Sequence, residues 1–267
     1  MKKLALAIST LLVSGSVLAN PIYQNPSQDY KAGKDNTATA IQDHSYDSDI
    51  IIKQYSPGVY DNNEATASDT YGKHNNLSTY QHGDNNTSTQ TITGSYYGKA
   101  EYNSLYTRQM GSYNTSTTTV NGNADRNKLA TVQIGHGNTS TTEALYGADD
   151  NISKTVILGS HGNTTNVTFT NKDADDNNVL VKITGYSNHN DVDVDVDGED
   201  NDADININNG SSYNEVDLAQ QRDTSYANIE ITNGSYGNTV DVTQTTNDAS
   251  FVDVISSNGG SVLIVQN

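Results

Sequence analysis

Side chains that donate or accept through oxygen and nitrogen dominate this sequence. The densest carboxylate run is Asp193-x-Asp195-x-Asp197-Gly198-x5-Asp204. Its spacing is that of an EF-hand calcium loop with Asp in the last position, so Asp193, Asp195, Asp197 and Asp204 are the candidate metal ligands. The flanks argue against a metal role, because Asp alternates with Val there as in a strand, whereas that loop needs helices. The Gly-Gly-x-Gly-x-Asp repeat of calcium-binding β-rolls is also absent. His82, His136 and His161 fall in expected turns and could approach one another around a metal, although turn histidines without a role are the plainer account. Carboxylate pairs at fixed separation can cleave glycosides, but nothing singles out one pair among 32 acidic residues. Cysteine and Trp are absent. Gly94-Ser-Tyr-Tyr-Gly98-Lys99-Ala100 is one residue short of a phosphate-binding loop and lacks its Ser/Thr. The chain reads as no enzyme, with no cofactor.

Amides carry the stronger pattern, because they recur at fixed positions. The string Asn-x5-Gln-x-Gly-x2-Asn occurs as Asn75, Gln81, Gly83, Asn86, again as Asn103, Gln109, Gly111, Asn114, and again as Asn127, Gln133, Gly135, Asn138. Asn177, Ile183, Gly185 and Asn188 keep the spacing with Ile for Gln. Asn214 with Gln220 and Asn238 with Gln244 keep its front, and Ser48 with Gln54 opens an earlier copy that resumes at Asn63. Each unit holds two halves. The first halves start at Asn75, Asn103, Asn127, Asn151, Asn177, Asn201 and Asn228, and the second at Asn86, Asn114, Asn138, Asn163, Asn188, Asn214 and Asn238. This is a strand–arc–strand–arc rung of 24–28 residues.

Alternation identifies the strands. Positions +2, +4 and +6 from the leading residue share one face, as in Leu105-Thr107-Gln109 and Val179-Val181-Ile183. In Asp191 to Asp197 the Val face must be buried and the Asp face wet. The turns are rich in Gly, Asn, Asp and Ser, and all three prolines precede residue 58. The expected fold is all-β, a β-solenoid of eight to nine two-strand rungs with cross-β stacking. Stacked rungs would bring Gln54, Gln81, Gln109, Gln133, Gln220 and Gln244 into amide ladders, and the leading Asn residues likewise at corners. Such ladders would let a chain with only 33% hydrophobic residues fold.

Lys2 and Lys3, the apolar run Leu4 to Val13, and Val17-Leu18-Ala19 form an expected signal peptide, residues 1–19, too short to span a membrane. Residues 20–47 show no clear rung and are expected to be a flexible leader, and 48–267 the repeat array. Removing Lys2 and Lys3 leaves 12 cations against 32 acids, a net charge of −20. That acidity excludes nucleic acid as a partner. Acidic turn residues such as Asp149, Asp150, Asp173, Asp175 and Asp176 could act as gatekeepers against premature assembly or simply be solvated. Thr87-x-Thr89-x-Thr91, Thr115-x-Thr117-x-Thr119 and Thr139-x-Thr141 would stack outward over three rungs, an array that could meet ice, or one that only reflects the β-propensity of Thr.

The repeat resembles that of the curlin family, the subunits of bacterial curli fibres, whose pattern is Ser-x5-Gln-x-Gly-x2-Asn-x-Ala-x3-Gln. Ser48-x5-Gln54 and Asn63-x-Ala65 follow it, and the three sharp units match with Asn for the first Ser. The last Gln is replaced by Ile92, Val120 and Ala144. The resemblance implies a self-assembling extracellular amyloid on a Gram-negative cell surface that supports biofilm and adhesion. It implies as partners further copies of the chain, a nucleator or major subunit, periplasmic chaperones and an outer-membrane secretion channel. The alternative is a monomeric secreted solenoid that binds calcium, ice or a surface ligand.

Overall fold

The computed structural model describes residues 36–56 and 62–267; the expected signal peptide and most of the expected leader lie outside these residues. The strands in chain order are β1 (Thr37–Asp43), β2 (Asp49–Tyr55), β3 (Glu64–Thr70), β4 (Gly72–Lys73), β5 (Asn76–Asp84), β6 (Thr87–Thr93), β7 (Ala100–Glu101), β8 (Ser104–Ser112), β9 (Thr115–Asn121) and β10 (Lys128–His136). They continue as β11 (Thr139–Leu145), β12 (Ile152–His161), β13 (Thr164–Thr170), β14 (Asn178–Thr184), β15 (Asp191–Val196), β16 (Asp202–Ile207), β17 (Glu215–Gln220), β18 (Tyr226–Thr232), β19 (Thr239–Gln244), β20 (Ala249–Ile255) and β21 (Ser261–Gln266).

These strands form a β-solenoid, as the repeat requires. Ten of them stack as β1-β3-β6-β9-β11-β13-β15-β17-β19-β21 and nine as β2-β5-β8-β10-β12-β14-β16-β18-β20, with β4-β7 a small third sheet at one arc. Every pairing is parallel, with each strand bonded to its counterpart one turn away, such as Gln81 opposite Gln109 and Thr117 opposite Thr141. The described residues complete nine turns plus one strand.

That extra strand is β1, inside the expected leader, where it pairs with β3 from Thr37 opposite Glu64 to Asp43 opposite Thr70. Asn36-x5-Gln42 carries the spacing of the other rungs, but its inward Ala38 and Ala40 make a weak apolar signal. Two expected rung starts also shift. Asn190, not Asn188, leads β15, and Ser225, not Asn228, leads β18. In both, the +2, +4, +6 rule selects the observed residue, since Val192-Val194-Val196 and Ala227-Ile229-Ile231 are the buried sets.

The inward residues of both sheets meet in one core. Its make-up changes along the axis. The early turns bury small and polar side chains, including Ser88, Gln90, Thr107, Ser116, Thr118 and Thr131, and the later turns bury Val181, Ile183, Val194, Ile205, Ile207, Ile229 and Ile231. Phe169, the largest fully buried side chain, sits opposite Ala144 on the neighbouring strand, so a large residue is accommodated by a small one.

Candidate functional site: amide ladders, acidic arc and end rungs

The arrangement that distinguishes this molecule is its hydrogen-bonded columns. On the nine-stranded sheet, Gln54 Nε2 donates to Gln81 Oε1 at 2.8 Å, Gln81 to Gln109 at 2.9 Å, and Gln109 to Gln133 at 3.0 Å. Each amide also reaches across the core and into its own arc. Gln109 Nε2, for example, lies 2.8 Å from Thr87 O and 3.0 Å from Asn114 O. The column then turns apolar, because Ile157 stands opposite Gln133. Gln220 and Gln244 occupy the other sheet. There Gln220 Nε2 donates to Gln244 Oε1 and Gln244 Nε2 to Gln266 Oε1, both at 3.1 Å. The expected Gln positions thus form two ladders at opposite ends of the solenoid, and Gln266 is a member that spacing from a leading Asn does not reveal, since Gly260 holds that corner.

The corners carry a second pair of ladders. Asn63, Asn86, Asn114, Asn138, Asn163, Asn190, Asn214 and Asn238 run along one arc, and Asn75, Asn103, Asn127, Asn151 and Asn177 along the other. Asn114 shows the unit. Its Nδ2 donates to Asn86 Oδ1 at 3.0 Å and to Gly135 O at 3.1 Å, while its Oδ1 accepts from the N–H of Asn138 at 3.2 Å. The motif glycines belong to this device. The carbonyls of Gly83, Gly111 and Gly135 each accept from a corner Asn. Gly83 and Gly111 have φ of 118° and 108°, and a Cβ at either would lie 2.1 Å from the next glycine's oxygen. From Asn75 onward, the residue before each ladder Asn lies in the left-handed region, including His74, Tyr102, Tyr113, Asp150, Asp176, His189 and Tyr213.

Acidic residues line one arc. Asp149 Oδ1 accepts the N–H of Asp125 at 2.6 Å, and Asp175 Oδ1 that of Asp149 at 2.7 Å. Partial burial, reinforced by neighbouring carboxylates, raises the pKa of Asp125, Asp149 and Asp175 above the usual Asp range; the hydrogen bonds pull the other way. Arg126 grips Asp150 through both Nε and Nη2, at 2.7 Å and 2.6 Å. Elsewhere, buried Asp69 is also raised, chiefly by desolvation, and it accepts from Asn75 Nδ2.

The candidate metal ligands do not come together. Asp193 and Asp195 project from β15 on one sheet, Asp204 from β16 on the other, and Asp197 lies in the arc between. Among the described residues no three His, Cys, Asp or Glu side chains converge as a metal site. The histidines are not in turns. His136 and His161 end adjacent strands with ring centroids 6.1 Å apart, whereas His82 stacks on Tyr55 in a different column. The outward Thr columns run further than three rungs, since Thr39, Thr66, Thr89, Thr117 and Thr141 form one unbroken row before Asn166 and Asp193.

Two outcomes follow from these columns. Gln109→Ala should lower stability by about 1–3 kcal/mol, because it strands the amides of Gln81 and Gln133 in the core; chemical denaturation measures this, and an unchanged midpoint would contradict the ladder. Carboxylates raised in the folded state hold protons that the unfolded chain releases. Their stabilisation is therefore full below the ordinary Asp pKa of about 4 and lost as pH rises through the raised values. Melting followed by circular dichroism should give a higher midpoint at pH near 4 than at neutral pH, and the reverse order would refute this account of the arc.

No protein-family model, no curated protein and no solved structure matches the chain.

Proposed function

We propose that this chain is a structural subunit of an extracellular fibre of the curlin kind, a functional amyloid that elongates by stacking the end rung of one copy on that of the next. The observation that carries this reading is the state of the two ends. Among the described residues, β1 and β2 at one end and β20 and β21 at the other each pair with a single strand. Parallel edges of this sort are templates for a further strand. Contact between unlike ends does not close, so it propagates as a filament. The expected export signal, the absence of cysteine and the high net acidity suit a subunit that is kept soluble until it is outside the cell, where it would contribute to biofilm matrix and adhesion. A secretion channel, chaperones and a nucleating or major partner subunit belong to the same proposal.

The test is thioflavin T fluorescence on the purified chain freed of its expected signal, with and without sonicated seeds, checked by electron microscopy. A lag abolished by seeds, with fibres on the grid, is the expected result. A stable β-rich monomer under all these conditions would overturn the reading.

One observation favours a second reading. The five-rung Thr row, with its neighbouring Thr columns, is a regular outward lattice on the ten-stranded sheet of the kind that could order water, which suits a monomeric ice-binding solenoid. Thermal hysteresis in the micromolar range of protein would support it, and Thr89→Lys with Thr117→Lys should abolish the effect. Ice crystals that grow unshaped in the presence of the native chain would dispose of it.

A further inference from the structure

The two sheets do not end level. The ten-stranded sheet runs from β1 to β21 and the nine-stranded sheet from β2 to β20, so β21 stands one strand beyond β20, with no described strand facing it at its own level. A following copy set with its β2 on β20 would have its β1 in the place that β21 already holds. Set with its β1 on β21, it would leave an empty strand position between β20 and β2. Rigid end-on stacking therefore completes one sheet and breaks the other.

Resting on the fibre reading above, we infer that copies join by strand exchange: β21 of one copy displaces β1 of the next and takes its place on β3, which lets β20 pair with the open edge of β2. Three observations converge on this. First, β1 and β21 share one pattern. In the place of β1, Val262, Ile264 and Gln266 fall where Ala38, Ala40 and Gln42 stand. The inward pairs Ala38 with Ala40 and Val262 with Ile264 are each only partly buried. β3 presents Ala65 and Ala67 at these positions. A large side chain beside a small one is how the core already seats Phe169 against Ala144. Exchange replaces two alanines with Val and Ile and buries more apolar surface.

Second, the end glutamines complete each other. Gln220 Nε2 donates to two carbonyls of the nine-stranded sheet, Asp202 O and Ser225 O, both at 3.3 Å. Gln244 Nε2 does the same with Tyr226 O at 3.0 Å and Asp248 O at 3.1 Å. Gln266 Nε2 reaches the first kind of carbonyl, Ala249 O at 3.2 Å, and Gln42 Nε2 the second kind, Ser48 O at 2.7 Å. Gln266 in the place of Gln42 would bridge Ala249 of its own copy and Ser48 of the next, which restores the full pattern.

Third, β1 can leave at little structural cost. It pairs with a single strand and precedes the other rungs in the chain, so no rung is unthreaded when it goes. Two bonds resist the exchange. Asn36 Oδ1 accepts from Ser56 Oγ at 2.6 Å and from the N–H of Asn63 at 3.1 Å, whereas Gly260, which would take that corner, has no side chain. Against them stand the larger apolar pair and a whole new strand pairing, β20 on β2.

The absence of native cysteine makes the exchange measurable. Thr39 and Thr66 are directly opposed on β1 and β3, and opposed strands stand about 4.8 Å apart, within disulfide span. The chain carrying Thr39→Cys with Thr66→Cys, oxidised as a monomer, should lose sustained seeded elongation, and reduction should restore it. Exchange also sets Leu263 of one copy opposite Thr66 of the next. Fibres of Leu263→Cys with Thr66→Cys, formed under reducing conditions and then oxidised, should therefore give covalent multimers on a non-reducing gel, and Leu263→Cys with Thr39→Cys should not. Elongation of the oxidised, β1-locked chain at the reduced rate, or cross-linking through Leu263 and Thr39 or through neither pair, overturns strand exchange while leaving the fibre reading intact. Failure of the unsubstituted chain to form fibres overturns both.

Discussion

A buried amide left without partners is costly, and along the Asn corners and Gln columns of this molecule most of those partners are supplied by the same residue of the next rung. Burying an unpaired amide costs more than a typical hydrogen bond returns, so the Asn corners and Gln columns hold only while the rungs stay in register. A one-residue slip would separate each amide from its counterpart and turn the inward face outward. The motif glycines serve the same constraint, since their carbonyls must turn inward to meet the corner Asn side chains at a spacing that leaves no room for Cβ. Register, turn geometry and the low apolar content are thus consequences of one interaction repeated along an axis.

The core does not use this device uniformly. Glutamine holds the column from Gln54 to Gln133 and gives way to Ile157, Ile183, Ile207 and Ile231. On the other sheet the column opens with Gln42 and buried Asp69, runs through Ile92, Val120 and Phe169, and ends in Gln220, Gln244 and Gln266. At the C-terminal end an amide column therefore faces an apolar one, while at the other end the Gln54 to Gln133 ladder faces a column that starts polar with Gln42 and Asp69 and turns apolar from Ile92. Amide columns demand register, whereas apolar columns contribute burial and tolerate shape changes. Placing a ladder near each end puts the stricter requirement where a further strand would have to align.

Outside, charge opposes what the core favours. Carboxylates stack turn upon turn along the arc of Asp125, Asp149 and Asp175 and along the face of Asp193 and Asp217, and burial and mutual repulsion raise their pKa. Each stacked acid takes up a backbone N–H or faces solvent, so the cost is bearable within one chain. In a fibre of the proposed kind, the balance between repulsive flanks and a register-demanding core would make assembly sensitive to pH and salt through screening.

Much of the fold was legible in sequence, because a repeated rung writes its spacing directly into the chain. Strand positions, inward faces and the first Gln ladder follow from Asn-x5-Gln and from the +2, +4, +6 rule. Asn190 and Ser225 show where motif matching yields to alternation. A corner requires a side-chain acceptor for the next N–H, and Ser225 sits there because Asn201 Oδ1 accepts its N–H at 2.8 Å, whatever the spacing to the nearest Asn. Only the tertiary structure decided the rest. It showed that Gln266 extends the ladder of Gln220 and Gln244, that β1 adds a rung edge before Ser48, and that the EF-hand-like acids lie on different sheets. Arc length sets these outcomes. A turn that gains or loses residues leaves local alternation unchanged yet determines which column, and which face, the next strand will occupy.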